Sequence, residues 1–225
     1  MIIVTGASRG LGQAITERLV GKGETVLGVV RDASGVSVDA IECDVTDYES
    51  VKRAAREVKR MKKPVSAFIN AAGVASMNMA VTTNEATVQK LIQTNLAGTI
   101  YCCQLFAPIM LRQKSGCFIN FSTIAVALAL KGESVYAASK AGVEAFSRTF
   151  AREMADFNVN VNCIAPGPIR TDLLRGITDS QVEKITAQQI IKKQFQKADV
   201  CDVVELLLDN KAASLSGQVL HVGGV

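Results

Sequence analysis

Short apolar, β-branched segments alternate with longer helical segments along this chain of 225 residues. A strand that is buried on both faces reads as a continuous apolar run, which is typical of parallel sheets. Strands that alternate with helices are joined by right-handed crossovers, so the pattern predicts a doubly wound α/β fold. The strand candidates are Ile2–Thr5, Thr25–Val30, Ala40–Cys43, Val65–Asn70, Cys117–Phe121, Asn160–Ile164 and Gln218–Val222.

We therefore predict one domain over residues 1–225, with a seven-stranded, mainly parallel sheet flanked by helices on both faces. The helical segments lie near Leu11–Gly21, Tyr48–Met61, Glu85–Arg112, Val135–Phe157, Asp179–Gln194 and Val200–Leu208. Sheets of this kind bind ligands at the carboxyl ends of their strands. The residues that follow each strand are therefore the functional candidates.

Composition argues against several classes of protein. Apolar residues make up 48% and charged residues 20%, and the net charge of +4 is spread along the chain, so neither a nucleic-acid partner nor a membrane partner is expected. No apolar stretch is expected to reach membrane-spanning length, and no secretory signal precedes the first strand, so we predict a cytoplasmic protein. Six cysteines without a CxxC pair, and a single histidine, predict buried thiols in a reducing compartment and no metal site.

A glycine-rich loop, Thr5–Gly12, follows the first strand and opens the first helix. Its glycines allow a tight turn and let backbone N–H groups approach a pyrophosphate, while the helix N-terminus adds a partial positive charge. The spacing differs from that of a P-loop, which needs Gly-Lys-Ser/Thr at its end. The loop residues expected to contact a dinucleotide are Gly6, Ser8, Arg9, Gly10, Leu11 and Gly12.

The second strand ends in Val30, Arg31 and Asp32. NAD-binding sheets usually place a carboxylate near this point for the ribose 2′-hydroxyl. Arg31, together with Arg9, instead offers planar donors for a 2′-phosphate, which favours NADP(H) over NAD(H). The alternative is that Arg31 is a solvated loop residue and that Asp32 binds the ribose.

Tyr136 and Lys140 lie four residues apart in a helical segment, and hence on one face of the helix. A neighbouring cation favours the phenolate, so the spacing predicts that Lys140 lowers the pKa of Tyr136 from its usual value of about 10. Such a tyrosine can give a proton to a carbonyl oxygen or take one from an alcohol. The same spacing also occurs on ordinary surface helices, so the pair gains meaning only from other motifs.

Taken together, six motifs in this order resemble the short-chain dehydrogenase/reductase family, in its classical branch, over residues 2–224. They are Thr5–Gly12, Asn70–Gly73, Asn95, Ser122, Tyr136 with Lys140, and Pro166–Thr171. Within the family the likeness is greatest to 3-oxoacyl-(acyl-carrier-protein) reductases. It is visible in residues 136–142, 160–167 and 216–224.

The resemblance implies a role for each catalytic residue. Tyr136 would protonate the carbonyl oxygen during hydride transfer, and Ser122 would hold that oxygen and stabilise its developing charge. Lys140 would bind the nicotinamide ribose and lower the pKa of Tyr136. Asn95, a polar residue within a long helix, would hold a water that relays protons to Lys140.

The resemblance also implies a set of cofactor contacts. Asp44, with Val45 beside it, would accept a hydrogen bond from the adenine amino group. The backbone of Asn70, Ala71 and Gly73 would pass close to the adenine ribose. Residues expected around the nicotinamide are Tyr136, Lys140, Pro166, Gly167, Ile169 and Thr171.

The resemblance leaves the substrate open. The apolar run 125–130 and a substrate lid around residues 172–198 suit a hydrophobic carbonyl, so we expect an NADPH-dependent reductase of a 3-oxoacyl thioester, free or carried by acyl-carrier protein. The alternatives are a ketoreductase or alcohol dehydrogenase for a sugar, steroid or xenobiotic and, more remotely, a non-catalytic NADP-binding regulator. The resemblance implies a homodimer or homotetramer formed through the long helices.

Overall fold

A computed structural model of the chain describes residues 1–170 and 178–225 and contains a seven-stranded sheet. Its strands are β1 (Ile2–Thr5), β2 (Val26–Val30), β3 (Ala40–Glu42), β4 (Ala67–Asn70), β5 (Gly116–Phe121), β6 (Val159–Ala165) and β7 (Val219–His221). Their order is β3-β2-β1-β4-β5-β6-β7, and all of the strand pairs are parallel. The predicted doubly wound sheet is confirmed, and it is wholly rather than mainly parallel.

The helices pack on both faces of this sheet in a single domain. Those described are α1 (Gly10–Gly21), α2 (Tyr48–Met61), α3 (Glu85–Leu91), α4 (Gly98–Gln113), α5 (Ile124–Leu128), α6 (Ser134–Met154), α7 (Asp179–Thr186) and α8 (Lys197–Leu208). Helices α2, α4 and α6 cover one face, while α1 and α8 cover the other. The strand order changes direction between β1 and β4, which opens a crevice at the carboxyl edge.

Two apolar cores follow from the alternation of side chains along each strand. In β1, Ile3 joins the core beneath α2, α4 and α6, whereas Ile2 and Val4 join the core beneath α1 and α8. In the first core the ring of Phe68 lies 4.5 Å from that of Phe106, centroid to centroid. Burial of each such side chain stabilises the fold by roughly 1.5–3 kcal/mol, which favours apolar residues on both faces of the central strands.

The helix predicted over Glu85–Arg112 contains an irregular turn. A π-helical segment, Ile92–Ala97, separates α3 from α4. A π-helical turn adds a residue to the helical repeat and is often found at functional sites. Here it places Asn95 in a fully buried position.

The continuous run Glu85–Gln113 is long and apolar enough to cross a membrane by length and composition, with a mean hydropathy of 1.2 over its most apolar window. This differs from the expectation that no apolar stretch reaches that length. The run contributes Cys102, Cys103 and Phe106 to the core beneath α2 and α6, which explains its apolar character. A core helix of this kind passes the same test as a membrane span.

Two further segments differ from the prediction. Helix α7 ends at Thr186 rather than continuing to Gln194, and the side chain of Gln189, which is 2% exposed, donates to the carbonyls of Ile191 and Lys193. Helix α5, which the sequence did not indicate, begins after Thr123. Of the predicted lid around residues 172–198, residues 172–177 lie outside the described part of the chain.

Candidate active site

One cavity of about 850 Å³ runs along the carboxyl ends of the strands and gathers most of the predicted site residues. The predicted residues that line it are Gly6, Ser8, Arg9, Gly10, Leu11, Arg31, Asp44, Val45, Ala71, Gly73, Ser122, Tyr136, Lys140, Pro166, Gly167 and Ile169. Gly12, Asn70 and Asn95 lie behind this wall. Thr171 falls outside the described residues.

The glycine loop turns tightly between β1 and α1. Gly6 and Gly10 have positive φ angles of 69° and 63°, a conformation that side chains with a Cβ rarely adopt. A Cβ on Gly12 would lie 2.3 Å from the carbonyl oxygen of Gly6, so no side chain fits there. The loop and the N-terminus of α1 therefore form a backbone cradle of the kind that binds phosphate.

The end of β2 presents arginines to the cavity. Arg9 and Arg31 are both exposed and line it, and neither has a salt-bridge partner among the described residues. The Asp32 carboxylate instead accepts from the backbone N–H of Ser34 at 2.8 Å. Hydrogen bonding from Ser34 lowers the pKa of Asp32 and holds its side chain on its own loop. The available donor set is cationic, as the sequence indicated.

The loop after β3 is tied together by Asp44. Its Oδ1 accepts from the backbone N–H and the hydroxyl of Thr46, at 2.9 and 2.8 Å. Its own N–H donates to Ser50 Oγ at 3.2 Å. The neighbouring Val45 is buried but reaches the cavity wall. These bonds fix the loop and leave the second carboxylate oxygen of Asp44 without a contact to Thr46.

The strand end of β4 contributes its backbone rather than the Asn70 side chain. The Asn70 amide points into the core, where it donates to Asn120 Oδ1 at 2.7 Å. Asn120 donates in turn to Ser147 Oγ on α6 at 2.8 Å. The Ala72 N–H donates to Thr5 Oγ1 at 3.0 Å, which joins the ends of β4 and β1. A cofactor lying here would meet Ala71 and Gly73.

Lys140 lies at the floor of the cavity, one turn after Tyr136 on α6. It is 5% exposed, and its Nζ donates to the carbonyl oxygen of Phe121, the last residue of β5, at 2.8 Å. Burial lowers the pKa of Lys140 to about 8. The amine is therefore held at the cavity wall and titrates well below an ordinary lysine.

The predicted effect of Lys140 on Tyr136 is wrong for this arrangement. The pKa of Tyr136 is raised, first by burial and then by the carboxylate of Glu133. Side-chain hydrogen bonding with Thr123 acts in the opposite direction but is the smaller influence. Tyr136 is therefore a protonated phenol at neutral pH, which suits it to donate a proton rather than to accept one.

The hydroxyl beside Tyr136 belongs to Thr123 and not to Ser122. Ser122 Oγ donates to the buried carboxylate of Glu144 on α6 at 2.5 Å. This contact directs the hydroxyl proton of Ser122 toward Glu144 rather than toward the cavity, and the predicted oxygen-holding role of Ser122 stays a prediction. Thr123, which caps α5 through the N–H of Ala125, is the residue whose side chain interacts with Tyr136.

Strand alternation could have identified Thr123. Phe118 and Asn120 of β5 face α6, so the next even-numbered residue faces it too. Ser122 continues the pairing of β5 with β6, since its N–H donates to the carbonyl of Ile164 at 2.8 Å. Thr123 is the first residue beyond the sheet edge and turns into the cavity.

Asn95 positions the loop that forms one cavity wall. Its Oδ1 accepts from the N–H of Val74 at 2.8 Å, and its Nδ2 donates to the carbonyl of Val74 at 2.9 Å and to Ser139 Oγ at 3.1 Å. Ser139 Oγ donates to the carbonyl oxygen of Tyr136 at 2.7 Å. The amide is thus engaged by protein groups, and the relay through a water stays a prediction.

The fold and this cavity define a dinucleotide-binding α/β protein, with Tyr136 and Lys140 in the wall of the ligand cavity. Residues 6–224 match the family profile described as Enoyl-(Acyl carrier protein) reductase. The chain belongs to the short-chain dehydrogenase/reductase family, and it is an oxidoreductase that acts on CH–OH or carbonyl groups.

Two relatives show the extent of the likeness. The chain is 34% identical over 235 residues to the 3-oxoacyl-(acyl-carrier-protein) reductase FabG of Staphylococcus epidermidis, covering 99% of this chain and 96% of the relative. It is 30% identical over 231 residues to FabG of Escherichia coli K12, covering 99% and 95%.

Solved structures give the same fold. The crystal structure of gox2181 superposes with a TM-score of 0.91 at 27% identity, covering 98% of this chain and 93% of that one. The ligand-free aldohexose dehydrogenase of Thermoplasma acidophilum superposes with a TM-score of 0.88 at 28% identity, covering 99% and 92%.

Proposed function

We propose that this protein uses NADPH to reduce a carbonyl group to an alcohol, with a 3-oxoacyl thioester as the first candidate substrate. One observation carries the proposal. Tyr136, Thr123 and Lys140 line the same cavity as the glycine loop, so the proton-transfer residues and the phosphate cradle can serve a single bound dinucleotide. The backbone cradle and the two arginines fit the phosphates of such a cofactor, and the bound nicotinamide would supply the hydride.

Tyr136 is the proposed proton donor. Negative charge builds on the carbonyl oxygen as the carbonyl carbon is reduced, and the phenol then transfers its proton to that oxygen. The raised pKa of Tyr136 favours this direction at neutral pH, because the phenol is protonated before the reaction. Oxidation of the alcohol would need the phenolate and would be favoured at high pH.

Thr123 and Lys140 have supporting roles in this proposal. The Thr123 hydroxyl lies beside Tyr136 and would donate a hydrogen bond to the same substrate oxygen, stabilising its charge. Lys140, held by the carbonyl of Phe121, would donate to the nicotinamide ribose. Ser122 is assigned the structural task of binding Glu144.

The choice of NADP(H) rests on Arg9 and Arg31. Both guanidinium groups line the cavity near the end of β2, while Asp32 is occupied by the backbone of Ser34. Guanidinium groups bind phosphate through paired hydrogen bonds, which an unphosphorylated ribose cannot use. The alternative use of Asp32 for a ribose hydroxyl is therefore disfavoured.

Two substrate classes have support. The FabG relatives and the apolar cavity residues Met77, Leu130 and Ile185 favour a 3-oxoacyl thioester, free or bound to acyl-carrier protein. A hydroxylated carbonyl compound is the second candidate, because the carboxyl group of Glu133 lines the same cavity. Three other features stay predictions: a lid around residues 172–198, a homodimer or homotetramer, and a cytoplasmic location.

The decisive experiment is NADPH oxidation by the purified protein with an acetoacetyl thioester, a simple ketone and a keto-sugar. Tyr136→Phe should lower the rate about 10²- to 10⁴-fold while NADPH affinity stays nearly unchanged, because the phenol supplies a proton and little binding. Tyr48→Phe, on the exposed start of α2, is the matched control. Unchanged turnover in Tyr136→Phe would contradict the proton-donor role, and inactivity of the unmodified protein on every substrate would favour the regulator.

A further inference from the structure

Glu133 is a buried acidic residue at the substrate end of the cavity. It immediately precedes α6, three residues before Tyr136, and is 9% exposed. It lines the cavity together with Leu130, Met77 and Tyr136. Both side chains line the same cavity, and the Glu133 charge is close enough to Tyr136 to raise the pKa of the phenol. A substrate whose carbonyl oxygen meets Tyr136 can therefore place a neighbouring group against Glu133.

Within residues 1–170 and 178–225, the fold does not use this carboxyl group. An acidic residue just before a helix commonly caps its free N–H groups, but Glu133 forms no side-chain cap hydrogen bond. Its backbone N–H and C=O bond to Leu130 and Ala137, and no partner for its side chain occurs in the part of the chain that the structure describes. Burial alone raises the pKa of Glu133.

The carboxyl oxygens of Glu133 keep contact with solvent in the open cavity, since neither is among the fully buried polar atoms that lack a partner. A ligand that displaces this solvent would leave the carboxyl without a partner, at a cost of about 1–3 kcal/mol for a neutral group and more for a charged one. A plain acyl chain could not relieve that cost, since it would place only methylene groups against the carboxyl. A ligand that brings a hydrogen-bond donor to Glu133 offsets this free-energy cost. The cavity therefore discriminates between substrates by this donor as well as by shape.

We propose that Glu133 is a specificity-determining residue that accepts a hydrogen bond from a hydroxyl or ammonium group on the carbon next to the substrate carbonyl. This inference rests on the proposed carbonyl reductase activity. It favours the second substrate candidate, a carbonyl compound with a neighbouring donor, over a 3-oxoacyl thioester, whose carbonyl is flanked by methylene groups. Tyr136 then protonates the carbonyl oxygen while Glu133 holds the donor on the adjacent carbon.

Three matched ketones test the inference with the purified protein and NADPH: 2-butanone, 1-hydroxy-2-butanone and 1-amino-2-butanone. The kcat/KM for the better of the two substituted ketones should exceed that for 2-butanone by about tenfold or more, as expected for a hydrogen bond to a buried carboxyl. Glu133→Leu should bring this ratio of kcat/KM values close to 1. Glu133→Gln should keep recognition of the hydroxyl but lose recognition of the ammonium group, which separates the two donors.

Two controls protect the result. Glu153→Gln, on the exposed surface of α6, should leave the ratio unchanged. NADPH affinity of each variant reports whether the fold is intact, and Glu133→Asp keeps the carboxyl if the larger changes prevent folding. The inference would be overturned if the unmodified protein and Glu133→Leu showed the same ratio of kcat/KM between the substituted ketone and 2-butanone. Turnover of an acetoacetyl thioester but of none of these three ketones would also overturn the inference, whereas no turnover of any carbonyl compound would contradict the proposed function.

Discussion

At the scale of the residue, proton transfer depends on which hydroxyl and which amine face Tyr136. Ser122 and Thr123 are adjacent in sequence, yet one binds Glu144 behind the wall and the other interacts with Tyr136. Burial lowers the pKa of Lys140, so its amine loses a proton more readily than an ordinary lysine does, while its Nζ donates to the carbonyl oxygen of Phe121. These contacts define separable roles that substitutions can test.

Replacing Thr123 and Ser122 should have different effects. Thr123→Ala should lower kcat about 10²- to 10³-fold, as removal of an oxyanion donor does, while Thr123→Ser retains most of the activity. Ser122→Ala should instead lower the free energy of unfolding by about 1–3 kcal/mol, because the buried Glu144 carboxylate loses its donor. Steady-state kinetics and denaturant unfolding measure the two effects. A larger kcat loss in Ser122→Ala than in Thr123→Ala would reverse the assignment.

The pH dependence of reduction should reflect Lys140. Its pKa is lowered to about 8, so the amine is charged below that pH and loses its charge above it. Tyr136 stays protonated throughout this range because its pKa is raised. We therefore expect kcat/KM to fall as the pH rises through about 8. Lys140→Arg should remove this fall in whatever activity remains, since arginine stays charged; an unchanged profile in that variant would assign the titration elsewhere.

At the scale of the element, the join between β1 and α1 sets the phosphate cradle. The first turn of α1 packs so closely on the loop that Gly12 sits against the backbone of Gly6. The π-helical turn at Ile92–Ala97 positions another wall of the cavity, because it brings the side chain of Asn95 to the backbone of Val74. The close packing at the start of α1 and the π-helical turn therefore each shape one wall of the cavity.

Gly12→Ala tests the first of these contacts. The added Cβ would lie 2.3 Å from a backbone oxygen that cannot move independently, so α1 must shift. We expect a loss of about 1–3 kcal/mol in the free energy of unfolding and weaker NADPH binding. Gly21→Ala, at the other end of the same helix, meets no atom within 4 Å and should be neutral or stabilising by up to about 1 kcal/mol. Equal effects of the two substitutions would contradict the close-packing account.

At the scale of the whole molecule, the cavity joins the ends of β1, β4, β5 and β6, so a ligand that fills it contacts both halves of the sheet. A ligand that binds only the folded state raises stability in proportion to the logarithm of its concentration over Kd. Thermal unfolding can therefore report cofactor preference without any substrate.

NADPH should raise the unfolding temperature more than NADH at equal concentration. At 100 times Kd the expected gain is about 2.7 kcal/mol. Arg31→Ala should weaken NADPH roughly tenfold or more and leave NADH nearly unchanged, because the guanidinium is expected to bind the 2′-phosphate. Arg152→Ala, an exposed position on α6, is the charge-matched control. Equal weakening of both cofactors by Arg31→Ala would contradict the assignment.

The sequence by itself determined the layered architecture and the location of the site. Short apolar runs such as Ile2–Thr5 and Val65–Asn70, alternating with longer helical segments, are typical of strands covered on both faces, and parallel strands bring their carboxyl ends to one edge. The glycine loop and the spacing of Tyr136 and Lys140 are local motifs, so they can be recognised from the sequence without knowledge of the fold.

Only the tertiary structure decided the direction of each side chain and its environment. It turned Ser122 to Glu144, buried the Asn70 amide against Asn120 and left the carboxyl of Glu133 at the cavity. It also reversed the expected pKa shift of Tyr136, because burial and a neighbouring carboxylate outweighed the helical spacing to Lys140. Burial and partners come from segments far apart in the chain, which is why local sequence patterns do not contain them.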